Sequence, residues 1–128
     1  MLKPGGRLLF ADPITVTGPL TNQEIAIRSS IAFFLFVPPG YDEQVLAQAG
    51  FTLNIHEDCT VNTADVAVRW RDARESRAEA LRTIEGEETF EGQQRFLDVT
   101  ARLAEERRLS RFVFVATRAA SYGFGTPR

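Results

Sequence analysis

A Pro-Gly-Gly turn that leads at once into an apolar run is the feature that most constrains the fold. Pro4 fixes φ for a turn, and Gly5 and Gly6 allow the positive φ that a sharp reversal needs. The run 7–12 is short and almost continuously apolar, which is typical of a strand buried in a parallel sheet. Pro13 is predicted to end this strand. The opening of the chain therefore predicts an α/β fold.

Composition excludes several classes of protein. The chain has 128 residues and a net charge of −2, so we expect one domain with no nucleic-acid partner and no electrostatic docking on a membrane. Its longest apolar run, 31–39, is broken by prolines and is far shorter than the ~20 residues of a membrane-spanning helix. The single cysteine, Cys59, excludes an internal disulfide and a multi-cysteine metal site. We expect a cytoplasmic protein without a signal peptide.

Helical and strand patterns alternate along the rest of the chain. Thr21 and Glu24 form a capping-box pattern at the start of the first helix. Helices are expected at about 20–36, 41–49, 62–85 and 88–107. Strands are expected at about 51–58 and 109–118, followed by a frayed tail from Ala119 to Arg128.

The sequence Leu-Lys-Pro-Gly-Gly and the strand after it, residues 2–12, resemble the turn before the fifth strand of class I S-adenosylmethionine-dependent methyltransferases. The Pro-Pro-Gly-Tyr segment, 38–41, and the Ala-Gly-Phe at 49–51 also resemble this family. The similarity is greatest to the sarcosine, phosphoethanolamine and ubiquinone-type small-molecule enzymes. It covers essentially the whole chain and implies the carboxyl-terminal half of such an enzyme, 1–128. The expected fold is α/β: a partial Rossmann-like sheet of three mixed strands with helical cap insertions.

The resemblance implies that the last strand is antiparallel and lies between the other two. The first two strands are then parallel, and their carboxyl ends share one edge of the sheet. Segments 13–40 and 59–108 both leave from that edge, where open α/β sheets bind ligands. We expect these segments to form a substrate cap over the active-site edge.

The family's cofactor motif has no counterpart in this sequence. No Gly-rich turn leads from a strand into a helix, and Gly123-Phe124-Gly125 follows the last strand with no helix behind it. The resemblance implies S-adenosylmethionine as cofactor of the complete enzyme, but we expect no binding by this chain alone. The predicted function is the acceptor-side half of a small-molecule methyltransferase. The alternative is a non-catalytic module that pairs with itself, or with a separate amino-terminal half, through the strand edge 7–10.

Three candidate substrate-binding residues lie in the first third of the chain. Asp12 ends the first strand at the functional edge, although an Asp before Pro can instead cap the following turn. Arg28 is the only charge in the middle of an apolar helix, and it predicts either an anion contact or burial beside a carboxylate. The Tyr41 hydroxyl could donate to a substrate, or its ring could pack on Val45.

Two further candidates lie on the predicted helix 62–85. Arg77 falls within an apolar stripe and could bind a carboxylate or phosphate, but we favour a snorkelling stem whose head reaches water or pairs with an acid such as Asp98 or Glu91. Trp70 could recognise a cation, but a core position is favoured. No catalytic residue can be assigned from the sequence.

A metal site is not expected. His56, the only histidine, lies on the predicted polar face of its strand and is interpreted as a surface residue. Four glutamates lie close together and bracket a helix start, where negative charge meets the positive end of the helix dipole: Glu85, Glu87, Glu88 and Glu91.

Overall fold

The computed structural model describes residues 2–31 and 34–119. The described strands are β1 Arg7–Val16, β2 Phe51–Asp58 and β3 Leu109–Arg118. The described helices are α1 Asn22–Arg28, α2 Tyr41–Gln48, α3 Thr60–Glu75, α4 Ala78–Glu85 and α5 Glu87–Glu105. Of the predicted tail, only Ala119 lies within the described residues. No helix in the described ranges combines the length and apolar character needed to cross a membrane.

The three strands form one sheet in the order β1-β3-β2. β3 pairs antiparallel with both neighbours, so that Phe114 faces Phe10 on one side and His56 on the other. β1 and β2 therefore run in the same direction and end at the same edge, which we call the carboxyl edge. The predicted α/β class, with the last strand antiparallel and central, is confirmed.

The prediction that β1 ends at Pro13 is wrong, because the strand continues to Val16. The pairing register shifts between Asp12 and Thr15, and this irregularity lets the strand pass through the proline. The Asp12 carboxylate accepts the backbone N–H of Ile14 at 2.9 Å. A single parallel bridge to Val37 then supports the end of the strand.

The predicted helix 20–36 is much shorter in the structure. Its start is confirmed, because Thr21 and Glu24 exchange two hydrogen bonds of 3.0 Å in a capping box. Its end comes at Arg28, where the Ser30 hydroxyl donates to the Ile27 carbonyl and competes with continued helix. The chain must also extend by Val37 to pair with β1, and the two following prolines disfavour a helix there.

The predicted helix 62–85 is two helices. The first of them, α3, starts earlier than expected, at Thr60. The backbone N–H of Thr60 donates to the Asp58 carboxylate at 2.9 Å. The predicted helix breaks between α3 and α4, where the Ser76 hydroxyl donates to the Ala73 carbonyl at 2.7 Å. The break separates the residues of the predicted apolar stripe, and Ile84 on α4 is 80% exposed.

Two apolar clusters hold the helices on the sheet. Leu46 of α2 packs on Phe114 and Ala116 in the middle of the sheet. At the carboxyl edge, Leu103 of α5 is 1% exposed and packs on Leu109 at the start of β3. Since α5 also packs along α3, both helices are fixed over the edge where β1 and β2 end. The predicted helical cap insertions therefore occupy the ligand-binding edge of an α/β sheet.

Candidate functional site

A cavity of about 280 Å³ opens among the helices at the carboxyl edge. Its walls come from the end of α1, from α3, from α5 and from the start of β3. The lining residues are Arg28, Asn62, Thr63, Val66, Ala67, Trp70, Phe96, Leu97, Thr100 and Arg111. We call this space the edge cavity. It combines two arginines with apolar walls, and no Asp or Glu is among the described residues that line it.

Arg28 is the most unusual residue of the edge cavity. It is the last residue of α1 and is only 5% exposed. Its guanidinium lies over the rings of Phe34 and Phe96, at 4.8 and 5.2 Å from their centroids. Its Nε and Nη1 have no hydrogen-bond partner among the described residues. Burial lowers the pKa of this guanidinium from its usual value. The sequence predicted either an anion contact or burial beside a carboxylate for Arg28. Arg28 is buried, but no carboxylate among the described residues pairs with it.

Arg111 brings a second guanidinium to the edge cavity. Its position is set by the end of β2: the Cys59 N–H donates to the Arg111 carbonyl at 2.9 Å, and the Arg111 N–H donates to the Thr60 hydroxyl at 3.0 Å. The Arg111 Nη1 lies 3.6 Å from the Cys59 sulfur, and no described Asp or Glu forms an ion pair with it. Thr100 adds a buried hydroxyl that has no hydrogen-bond partner in the described part of the chain.

Trp70 lies at the open side of the edge cavity. The favoured core position is wrong, since Trp70 is 60% exposed and Val66, one helical turn away, is 40% exposed. The buried face of α3 is formed instead by small side chains such as Ala64 and Ala67. An exposed indole and a buried guanidinium without a described partner line the same cavity, which suits an amphipathic ligand.

Arg77 and Tyr41 do not line the edge cavity. Arg77 is exposed at the start of α4, where its carbonyl accepts the Leu81 N–H at 3.0 Å. The acids proposed as its partners are taken by other arginines, Asp98 by Arg71 and Glu91 by Arg82. Tyr41 is 40% exposed at the start of α2.

Asp12 belongs to a different, acidic region of the carboxyl edge. It is 7% exposed, and its bond to the Ile14 N–H agrees with the turn-capping alternative. Burial, together with the neighbouring Asp12 carboxylate, raises the pKa of Asp42 to about 7. The adjacent Glu43 lies 3.7 Å from the His56 ring nitrogen. This region encloses a second space of only about 40 Å³.

His56 is exposed, as the surface interpretation predicted, but it does not lie on the expected polar face of β2. The register of β2 shifts between Leu53 and Ile55, and this irregularity reverses the alternation beyond it. The His56 ring therefore stacks on Phe114, with centroids 4.9 Å apart and planes 9° apart. Within the described residues no group of His, Cys, Asp and Glu side chains is arranged to hold a metal ion. Three of the four glutamates near the start of α5 pair with arginines: Glu85 with Arg74 at 2.6 Å, and Glu87 and Glu91 with Arg82 at 2.9 and 3.1 Å.

Sequence reasoning missed Thr100, Phe96 and Arg111 as members of the site. A signal was available for two of them. Thr100 interrupts the apolar face of α5, and Arg111 interrupts the apolar run of β3. A polar residue inside an apolar pattern is a candidate for a ligand-facing position, but its partner across the cavity becomes visible only in three dimensions.

Comparison with known proteins identifies the fold. No protein-family model and no curated protein matches this chain. Among solved structures, it is similar to a protein described as a sarcosine dimethylglycine methyltransferase from Galdieria sulphuraria, with 14% identity and a TM-score of 0.79 over 92% of this chain and 43% of that one. It is also similar to the cyclopropane synthase MmaA2 from Mycobacterium tuberculosis, with 22% identity and a TM-score of 0.77 over 91% of this chain and 46% of that one.

A third similar structure is phosphoethanolamine N-methyltransferase 2 of Haemonchus contortus, in complex with phosphomonomethylethanolamine and S-adenosylhomocysteine. Identity is 17% and the TM-score is 0.79, over 92% of this chain and 27% of that one. The chain thus spans less than half the length of each of these three structures. It has the fold of one part of S-adenosylmethionine-dependent methyltransferase structures, in agreement with the resemblance of its opening turn.

Proposed function

We propose that this chain is the acceptor-side part of an S-adenosylmethionine-dependent small-molecule methyltransferase. The observation that carries the proposal is the edge cavity itself: a ligand-sized space under helical insertions, at the carboxyl edge of a sheet whose fold occurs in methyltransferase structures. In this proposal the methyl acceptor occupies the edge cavity. Arg28 and Trp70 are the predicted site residues that contact it.

The task of this chain would be to bind and orient the acceptor and to exclude water. Methyl transfer from a sulfonium to a nucleophile proceeds in line, so it depends on the approach geometry that the cavity walls impose. S-adenosylmethionine would supply the methyl group when bound. No described strand leads through a Gly-rich turn into a helix, so the described residues do not fit this cofactor. We therefore propose that the cofactor is held by a further polypeptide segment.

That segment would dock beside β1, which is an edge strand of the described sheet. Leu9 on β1 is 69% exposed and Ile55 on β2 is 46% exposed, so this side of the sheet carries uncovered apolar surface. Leu9 would be covered when a cofactor-binding segment extends the sheet at β1.

Calorimetric titration of S-adenosylhomocysteine tests this proposal. We expect no binding by the 128-residue chain alone, and binding when the polypeptide encoded immediately upstream is present. Tight binding by the chain alone would contradict the proposed division of the site. A failure to bind in either preparation would contradict the methyltransferase proposal itself.

The exposed edge of β1 also favours a second candidate function, a non-catalytic module that pairs with itself or with a separate half. Light scattering of the purified chain distinguishes the two. Self-pairing predicts a dimer that Leu9→Lys converts into a monomer, with Ile84→Lys as the control because Ile84 is exposed on α4, far from this strand in the chain. A monodisperse wild-type monomer at high concentration would refute self-pairing.

A further inference from the structure

We infer that the edge cavity binds an oxyanion, a carboxylate or phosphate carried by a small and partly apolar molecule, through Arg28 and Arg111. Identifying this molecule as the methyl acceptor rests on the proposed function; the anion site does not. All the residues that form it lie in this chain. Binding is therefore expected without cofactor and without a partner.

Arg28 has more hydrogen-bonding capacity than the described residues satisfy. A guanidinium has five N–H donors and cannot discharge itself by losing a proton in a protein. The rings of Phe34 and Phe96 contact this group within cation–π distance, but they accept no conventional N–H hydrogen bonds from Nε and Nη1. A buried charge without such bonds is costly, and an oxyanion entering the cavity would supply both the bonds and the countercharge.

The charges around the cavity also favour an anion. Three acids on or next to the elements that form its walls are already bound to other arginines. Glu24 on α1 holds Arg108 at 2.8 Å, Asp58 at the end of β2 holds Arg107 at 2.8 Å, and Asp98 on α5 holds Arg71 at 2.8 Å. Neither Arg28 nor Arg111 has an ion pair among the described residues. The cavity therefore has two positive charges that no described carboxylate neutralises.

The shape and polarity of the walls indicate the rest of the ligand. Phe96, Val66 and Trp70 contribute apolar surface to the cavity lining. The buried Thr100 hydroxyl, which has no described partner, adds a donor or acceptor to the same lining. A volume of about 280 Å³ suits a small molecule with one charged end, and not a nucleotide or a peptide.

Trp70 provides a direct assay, since it is the only tryptophan of the chain and lies at the cavity opening. We would titrate the 128-residue chain with phenylacetate, phenyl phosphate, inorganic phosphate and benzyl alcohol while recording tryptophan fluorescence. We expect saturable binding of at least one aryl anion, and at least tenfold weaker binding of the neutral alcohol. The relative affinities of phenylacetate and phenyl phosphate identify the preferred anion, and inorganic phosphate shows whether the head group suffices.

Variants test whether Arg28 and Arg111 are responsible for binding the anion. Arg28→Gln and Arg111→Gln should each weaken the aryl anion at least tenfold, whereas the exposed Arg77→Gln should bind as the wild type does. Circular dichroism checks folding, and the half-buried Arg111 serves as the probe if Arg28→Gln does not fold. Equal binding of benzyl alcohol and the anions, unchanged binding in a folded arginine variant, or no binding of either aryl anion would overturn the inference. None of these readouts involves S-adenosylhomocysteine, so the methyltransferase proposal can fail or stand separately.

Discussion

Two groups of arginines in this chain have opposite surroundings. Away from the sheet, Arg74 binds Glu85 at 2.6 Å and Arg82 binds Glu87 and Glu91 at 2.9 and 3.1 Å. At the carboxyl edge, Arg28 is more deeply buried than either of these arginines yet has two guanidinium nitrogens without a partner. We call the first group, with Arg108, the paired arginines, and Arg28 with Arg111 the cavity arginines.

Arginines of the helical cap thus have two different roles. A paired arginine fastens one helix to the next, and its loss leaves a carboxylate unsatisfied. A cavity arginine has no carboxylate partner among the described residues, so its charge is a cost to the free protein that a ligand would offset. Substitutions in the two groups should therefore change stability in opposite directions.

The largest loss of stability is expected from Glu24→Gln. Glu24 caps α1 and binds Arg108 through both oxygens, and the hydrogen bonds from Arg108 lower its pKa to about 2. Because the folded-state pKa is depressed, this stabilisation is complete above the ordinary value of 4.5 and is lost as pH falls toward 2. Thermal unfolding between pH 7 and pH 2 should show a lower melting temperature for the variant at pH 7 and a shallower acid slope. Equal slopes in the two proteins would contradict this assignment.

Arg74→Met should destabilise the chain by about 2 kcal/mol, the usual size of a charge-assisted hydrogen bond in a partly buried pair. The Arg74 side chain is 16% exposed, and it bridges α3 to Glu85 of α4 and Gln94 of α5. Arg82→Met is the matched control, because the Arg82 side chain is 40% exposed and its loss should cost less than about 1 kcal/mol. Urea unfolding measures both, and a larger loss for Arg82 would reverse the proposed ranking.

Arg28→Met should leave the free chain as stable as before or raise its free energy of unfolding by about 1 kcal/mol, because an apolar side chain replaces a buried charge without a described partner. The same variant should lose the stabilisation that a saturating aryl anion gives to the wild type. Urea unfolding with and without phenylacetate or phenyl phosphate tests both statements. A loss of more than about 2 kcal/mol without ligand would place Arg28 among the paired arginines.

The smallest effect is expected in the acidic region beside Asp12. The pKa of Asp42 is raised to about 7, so its contribution to stability declines as pH rises from the ordinary value of 3.8 toward 7. Asp42→Asn should therefore melt at a higher temperature than the wild type at pH 8 and at a similar temperature at pH 4. Asp65→Asn, at an exposed position on α3, is the control that should show no such pH dependence. A stabilisation of equal size at both pH values would exclude the proton on Asp42 as its cause.

Much of the fold was predictable from local sequence. The opening turn and the resemblance it carries predicted three strands with the last one central, and β2 and β3 span the ranges expected from their apolar patterns. The errors occurred where side chains compete with the backbone for hydrogen bonds, as at Ser30 and Ser76, or where an irregularity changes a strand register, as after Leu53. Such events depend on single contacts and leave no mark on hydrophobic periodicity.

Less of the candidate site was predictable. Arg28 was recognisable as a lone charge in an apolar segment, but its lack of a partner depends on where Glu24 and Asp98 find theirs. Trp70 was assigned to the core because it shares an apolar stripe with Val66, but the buried face of α3 carries Ala64 and Ala67 instead. The sequence indicated which residues were unusual, whereas tertiary packing decided which of them share a cavity.

The central position of β3 also bears on how the chain reaches its structure. β1 and β2 do not pair with each other. In the described sheet both pair with β3, which begins about fifty residues after the end of β2. During synthesis the two earlier strands are therefore made before their common partner, with apolar side chains such as Phe10 and Leu53 lacking the cover that β3 brings. Pairings this distant in sequence close slowly and leave strand edges open to other molecules meanwhile. The strand that completes the sheet thus also sets how long the chain needs protection from aggregation.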